Sequence, residues 1–330
     1  MSFRVEHTKY RFILIPPDGR RLNITDVILE AKYEDMEDEL SARLILTVKN
    51  ILVGDKYLNQ LCYLAHRMIV EATTGGSWQE VWRGSIYRYG FTTEEGSSFT
   101  AICYDALFPL QQSKDQVQIS SSETVAETIS KLARKWGIPI GRIDGPHRAL
   151  EFKIYKGDKI GKIFSERIKE AKKRGSPRFF VRDEKGQLNI VREGSNTIVY
   201  KLDRYYAEKS EDEHNIENII TRVKVYGTSK ENTPSQIVYE QDGRINFGVI
   251  QDVVFGVEGR KEAQEKAAEI LQENGQPNIT RSIYGPDIPF LRKGDVIEVE
   301  VGTLLGKFMV SSVSRDIGTL QMTVQLKVAK

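Results

Sequence analysis

Apolar and polar positions alternate with a period of two through much of the first third of the chain, the pattern of strands that bury one face. Tyr10–Ile15 is an apolar run stopped by Pro16-Pro17-Asp18-Gly19, where proline fixes φ and glycine frees it, so a strand and a turn are predicted. Ile24–Lys32 predicts a second strand, interrupted by the acidic run Glu34–Glu39. Leu44, Leu46 and Val48 share one face of a third, with Arg43, Ile45 and Thr47 on the other. Tyr63–Ala72 predicts a fourth, closed by Thr73–Ser77. Ile86–Phe91 and Phe99–Tyr104 flank Thr92–Ser98, and the Glu94-Glu95-Gly96 core predicts the turn of a β-hairpin. Alternation stops at Tyr104–Leu110, where a short helical or irregular turn is expected. Several strands without a long helix make residues 1–115 a barrel-like or sandwich β module.

The period then changes. Val125, Ile129, Leu132, Ala133 and Trp136 recur at helical spacing, Thr124 and Glu127 fit a capping box, and Gly137 with Pro139 supplies the stop. A strand over Leu150–Tyr155 leads into a second helix, Lys159–Arg174, with Asp158 as its expected N-cap and Ile160, Ile163, Phe164, Ile168 and Ala171 as its stripe. A hairpin follows, Phe179–Arg182 and Leu188–Val191. Residues 116–206 thus read as a small α/β module.

Ala207–Asn215 is polar and acidic and reads as a linker or exposed crossover. β patterning returns with Ile219, Thr221, Val223 and Val225 on one face, then a polar loop over Thr228–Ser235 and a helix over Arg260–Gln272 that turns Ala263, Ala267, Ile270 and Leu271 inward. Val296–Val301, Lys307–Val313 and Leu320–Val328 are three more strands. The last alternates over nine residues, with Leu320, Met322, Val324, Leu326 and Val328 on one side. The predicted class is α+β and mostly β: two β-barrel-like modules, residues 1–115 and 207–330, flank the α/β module.

Composition changes this picture little. At 330 residues the chain can hold two or three cores, and 40% apolar with 28% charged residues is ordinary for a globular protein. A net charge of +2 gives no electrostatic case for nucleic acid or an anionic membrane as the main partner. No apolar stretch approaches the roughly 20 residues that span a bilayer, and Phe12–Ile15 is too short for an export signal. Cys62 and Cys103 sit beside apolar residues and read as buried free thiols of a chain folding in a reducing cytoplasm.

Candidate chemistry is sparse. Gly157-Asp158-Lys159-Ile160-Gly161-Lys162-Ile163 follows a strand and opens a helix, but a phosphate loop needs four residues between its glycines and Ser or Thr after the lysine. A turn with an Asp cap explains it better. His7, His66, His147 and His214 share no ligand spacing, and no Gly-x-Ser-x-Gly elbow is present. The acidic runs Glu34–Glu39 and Glu211–Glu213 read as solvated faces. No catalytic, cofactor-binding or metal residue is therefore assigned. Lys153–Arg174 is basic, with Lys159 and Arg167 expected on the solvent face among Lys153, Lys156, Lys162, Lys169, Lys172, Lys173 and Arg174. Those last seven are the candidate surface for an acidic partner or for traversing DNA; the alternative is an ordinary solvated helix face.

Five segments carry a resemblance by their order and spacing. Trp82-Arg83-Gly84-Ser85-Ile86 enters the hairpin, and Phe99–Leu110 leaves it through Tyr104-Asp105, with Ser113-Lys114 close behind. Thr124–Gly141 contains Trp136-Gly137-Ile138-Pro139-Ile140-Gly141. Glu217–Gly227 opens a later strand, and Leu291-Arg292-Lys293-Gly294-Asp295-Val296-Ile297 enters another. Together they resemble the tail-hub proteins of contractile phages, of the XkdQ/YqbQ type found in phages and phage-like particles of Gram-positive bacteria and related to the late-control D family.

The resemblance implies a structural protein without enzymatic activity or cofactor. It would be made in the bacterial cytoplasm and built into the baseplate of a phage, a defective phage or an R-type bacteriocin. It also implies a homotrimeric ring whose two barrels per subunit meet a hexameric tail tube protein, with a central spike protein below, other baseplate components around it, and DNA at most passing through the lumen. Tyr155–Ile160 also resembles the opening of a LysM repeat, although that repeat's second helix and closing strand do not follow. A cell-wall-binding or wall-degrading tail protein is therefore the alternative. Against it stands the expectation that no lysozyme-like or peptidase-like domain follows the last strand.

Overall fold

The computed structural model describes residues 7–92, 97–229 and 233–329. They form two compact units, one built from the residues up to Ser210 and from Ser282, the other from Glu211–Arg281. The fold is mostly β, with few helices.

The first unit begins with β1 (Thr8–Ile15), β2 (Leu22–Asn23), β3 (Ile28–Asp35), β4 (Arg43–Lys49), β5 (Leu52–Val53) and β6 (Lys56–Tyr57), then α1 (Leu58–Leu61), β7 (Arg67–Thr74), β8 (Gln79–Thr92), β9 (Ser98–Tyr104) and α2 (Phe108–Gln112). The alternation of β4 has the expected consequence: Leu44, Leu46 and Val48 are buried against Phe12, Leu14, Met68, Val70, Trp82 and Cys103. β8 and β9 pair antiparallel, with Phe91 opposite Phe99 and Ser85 opposite Tyr104, as the hairpin reading requires. Its Glu94-Glu95-Gly96 turn lies outside the described residues. Cys62 and Cys103 are buried free thiols, and burial pushes Cys62 up to about 12.

Two strand predictions are shortened. Thr25–Val27 is a 3-10 turn, so the strand begins at Ile28; Thr25 Oγ1 accepts the Phe12 amide at 2.9 Å and thus serves the neighbouring strand instead. Tyr63–His66 is a turn in which Ala65 takes φ 64°, and β7 begins at Arg67.

The middle of this unit holds β10 (Lys114–Ile119), α3 (Val125–Lys135), β11 (Ile140–Ile143), β12 (Lys153–Lys159), α4 (Ile160–Lys173), β13 (Phe179–Glu184) and β14 (Gln187–Arg192). The capping box of α3 is present: Thr124 Oγ1 accepts from the Glu127 amide, and the Glu127 carboxylate accepts from the Thr124 amide. α4 starts otherwise than predicted. Asp158 is not its N-cap but belongs to β12, paired with Asp115 of β10, and Lys159 occupies the cap position without a side-chain hydrogen bond to the helix end. The ladder holds Asp158 in extended backbone, and the Ile160 amide donates to the Ser113 carbonyl at 2.9 Å. Both helices pack on the sheet β11-β14-β13 around Ile129, Ile163, Phe164, Leu188 and Ile190.

The remaining elements are β15 (Lys201–Asp203), β16 (Lys209–Asn215), β17 (Arg222–Tyr226), β18 (Ile237–Asp242), β19 (Gln251–Val254), α5 (Arg260–Asn274), β20 (Asn278–Pro286), β21 (Val296–Val301), β22 (Leu304–Asp316) and β23 (Gln321–Val328). The polar stretch read as a linker is largely strand β16. Its low hydrophobicity hid it, because its order comes from backbone pairing. In the first unit the Glu208 amide donates to the Tyr284 carbonyl at 3.0 Å. In the second, Arg281 pairs with Asp212 at 3.0 Å. The second unit is the sheet β18-β17-β19 with α5 on one face, where Ala263, Ala267 and Leu271 meet Val223, Val225 and Val257.

β22 stitches the first unit together. Its early part pairs with β21, its later part lies opposite β3 (Val313 with Asp35, Asp316 with Lys32), and β23 runs along its other side. The result is one sheet in the order β20-β23-β22-β3-β4-β9-β8-β7-β1-β2, which joins the N-terminal core to the C-terminal core of Ile297, Val299, Val310, Val324 and Leu326.

Candidate functional site

The most concentrated chemistry of the first unit lies where its three cores meet. The Leu291–Asp295 turn, just before β21, is folded on itself: the Arg292 amide donates to Asp295 Oδ2 at 3.0 Å, and Gly294 takes φ +91°, a conformation glycine adopts without strain. A Cβ at Gly294 would also stand 2.8 Å from the Phe180 ring of β13, so both backbone and packing require glycine.

The turn sends two cations onto one carboxylate. Arg292 Nε lies 2.9 Å from Asp35 Oδ2 and Lys293 Nζ lies 3.1 Å from Asp35 Oδ1. Lys293 Nζ also donates to the carbonyls of Met36 (3.2 Å) and Glu39 (2.6 Å). Burial alone would raise the Asp35 carboxyl; Lys293 and Arg292 overcome it and hold Asp35 well below the usual carboxylate range. Asp35, within the acidic run read as a solvated face, is fully buried. That correction has a plain cause. β3 alternates, and the parity that buries Ala31 and Tyr33 also buries position 35.

The same turn holds the β13–β14 hairpin. Arg182 Nη1 donates to Asp295 Oδ1 (2.9 Å) and to the Lys293 carbonyl (3.0 Å), Arg292 Nη2 donates to the Asp183 carbonyl (3.2 Å), and the Gly194 amide donates to the Gly294 carbonyl (2.9 Å). Asp105, of the Tyr104-Asp105 pair, closes the exit from β9. It accepts from Ser41 Oγ (2.7 Å) and from the amides of Ala42 (2.8 Å) and Leu107 (2.9 Å). Burial nevertheless pushes Asp105 up to about 6; burial and the neighbouring Asp105 charge push Asp183 up to about 7. A second buried pair, Arg315 Nε to Asp287 Oδ1 at 2.8 Å, is joined by the Tyr10 hydroxyl, which donates to Asp287, and fastens β1 to β22. This constellation is a mechanical joint of paired charges. Among the described residues no group of three or more His, Cys, Asp or Glu could hold a metal, and no helix is long and apolar enough to cross a membrane.

The basic residues lie elsewhere, on β12 and α4. Lys153, Lys156, Lys162, Lys169, Lys173 and Arg174 are exposed, and Lys172 is half-buried. Acids lace the surface: Lys153 meets Glu166 at 3.2 Å, Lys162 meets Asp158 at 2.9 Å, and Arg174 meets Glu151 (2.9 Å) and Glu170 (3.1 Å). Arg167 departs from the predicted solvent face and is buried, because residues 160, 164, 167 and 171 form one helical stripe; its guanidinium is met by the Glu151 carbonyl and Glu170.

The turn and the Tyr104-Asp105 exit that build the joint lie in two of the five segments on which the sequence resemblance rested. The YQBQ-like family model matches residues 67–329. This chain belongs to the YQBQ-like family. Solved structures share the fold of this YQBQ-like protein over nearly its whole length. The 43 kDa tail protein of prophage MuSo2 from Shewanella oneidensis is 10% identical, with a TM-score of 0.67 over 96% of this chain and 98% of that one. The tail protein from Neisseria meningitidis MC58 is 14% identical, with a TM-score of 0.65 over 97% and 96%. Prophage tail protein gp18 from Listeria monocytogenes EGD-e is 12% identical, with a TM-score of 0.54 over 96% and 94%. At these identities the likeness is one of fold. No curated protein matches the sequence.

Sequence reasoning found the turn and Asp105 as motif segments but assigned them no partners, and it missed Asp35, Asp287 and Arg315. Only the alternation along β3 carried a signal for Asp35; nothing local marks Asp287 or Arg315, whose pairing depends on the β22–β23 fold.

Proposed function

We propose that this YQBQ-like protein is a structural baseplate hub of a contractile tail, in a phage, a defective phage or an R-type bacteriocin particle of a Gram-positive bacterium. The observation that carries the reading is the end-to-end likeness to tail proteins within a family-assigned chain, with a site made of structural ion pairs. In this reading residues 1–115 and 207–330 are two tube-like modules flanking the α/β module 116–206. The sheet edges left open in one chain are completed by neighbouring subunits, so that barrels close only in the assembly. Three copies form a ring that offers quasi-sixfold symmetry to a hexameric tail tube and threefold symmetry to the spike, with other baseplate components around it. Lys153, Lys156, Lys162, Lys169, Lys172, Lys173 and Arg174 form a face for an acidic partner. The protein is made in the cytoplasm and acts in the particle.

The test is solution mass by light scattering, with negative-stain imaging alone and after mixing with tail tube and spike proteins. Threefold rings with an open channel, alone or in the mixture, are the expected result. A chain that stays monomeric in the mixture and binds or cleaves purified peptidoglycan would replace the hub with a wall-active tail protein.

A further inference from the structure

The joint contains more buried carboxylates than its cations serve. Arg292 and Lys293 are both committed to Asp35, and Arg182 to Asp295 and Glu184. Arg83 of β8, which approaches the hairpin at Gly186, is forked onto Glu80. Asp105 is left with three hydrogen-bond donors. Asp183 is left with one, the Gly186 amide at 3.0 Å to Oδ1. Asp183 is almost wholly buried, and its Oδ2 is enclosed without a hydrogen-bond partner. The charges that face it are Asp105 from the β9 exit, Arg292 from the turn and Arg83 from β8. An ionised oxygen enclosed beside another carboxylate is the costliest state such a group can take, whereas a protonated one is neutral.

We propose that the Asp183 carboxyl is a proton-operated latch between the β13–β14 hairpin and the Leu291–Asp295 turn. Protonated, it leaves the joint closed. When the O–H bond breaks, the proton leaves to solvent and the electron pair stays on Oδ2, which places a second buried negative charge beside Asp105. With Arg292 and Arg83 held by Asp35 and Glu80, the hairpin that carries Asp183 relieves that charge by opening toward water. Raised proton affinities at both Asp183 and Asp105 agree with this geometry and put the response near neutral pH. The inference concerns this chain alone and does not rest on the hub reading.

Carbon-13 NMR titration of the aspartate side chains in the full-length protein, with Asp183 assigned by comparison with Asp183→Asn, tests the proton. A midpoint well above the ordinary carboxylate range is expected; a midpoint within that range overturns the proposal. Should Asp183→Asn not fold, Asp183→Glu supplies the assignment. Native-state hydrogen exchange tests the latch. Corrected for intrinsic rates, protection of the β13 and β14 amides should fall about tenfold or more between pH 6 and pH 8 in the unmodified chain. It should stay level in Asp183→Asn, which keeps the neutral form. An unmodified chain whose corrected hairpin protection does not change with pH, or an equal fall in both proteins, overturns the latch.

Discussion

At the scale of single residues, Asp35 anchors the joint. It is the shared counter-ion of Arg292 and Lys293; Asp35 and Lys293 are buried and Arg292 is largely so. Asp35→Ala would leave two cations without their carboxylate and should cost about 3–5 kcal/mol, the cost of breaking a buried pair, read by denaturant unfolding. Gly294→Ala adds strain at φ +91° to a 2.8 Å approach to Phe180, so its destabilisation should exceed that of Gly157→Ala. Gly157 has φ +81° and open space around it, where only the backbone penalty of about 1 kcal/mol applies.

The joint also sets a pH dependence, and its two kinds of carboxylate act with opposite sign. Asp35 is held below its unfolded value of 3.8, so its stabilisation is present above that pH and is lost as the pH falls. Asp105 and Asp183 are raised above the same value, so the folded chain is favoured below it, and stability falls as the pH rises through about 6 and about 7. The loss begins at the unfolded value, so the melting temperature should peak near pH 4, at about the value where the two effects cross, and decline from there toward about 7. Asp183→Asn should flatten the alkaline side alone; an unchanged alkaline slope would remove Asp183 from the account.

At the scale of elements, the two middle helices show how far local chemistry reaches. α3 starts where its capping box says, and Thr124→Ala should cost about 1 kcal/mol in a chemical melt. α4 starts two residues beyond Asp158, which the β10–β12 ladder holds extended. Asp158→Ala removes an exposed pair with Lys162 rather than a cap, and its melting temperature should match that of the unmodified protein. A loss equal to that of Thr124→Ala would show Asp158 to be a cap after all.

At the scale of the whole molecule, β22 and the Leu291–Asp295 turn make three cores one body. The N-terminal core reaches the turn through Asp35, the middle core through Arg182 and Asp183, and the C-terminal core through Val310 and Asp295. The basic surface belongs to this scale too. Lys156→Glu, Lys169→Glu and Lys173→Glu combined should leave the unfolding midpoint nearly unchanged, because these side chains are exposed. They should also weaken, in a salt-dependent way, capture of an acidic baseplate partner. Unaltered assembly with tail tube and spike would return that face to solvent.

The sequence by itself determined the elements whose pattern is local. Leu44, Leu46 and Val48 went inward because alternation along a strand puts them on one side, and α3 begins just after Thr124 because the cap and the box lie within four residues. It also marked the Leu291–Ile297 turn and Tyr104-Asp105, though not what they grip. The tertiary structure alone decided that buried Asp35 meets cations, that Asp158 is strand, and that polar Lys209–Asn215 pairs as β16. In each case the deciding partner lies far away in sequence: Arg292 for Asp35, Ser113 for the start of α4, Tyr284 for Glu208 at the head of β16. A local pattern fixes which face a side chain takes, but whether a charge on that face meets water or another charge depends on which chain segment folds against it.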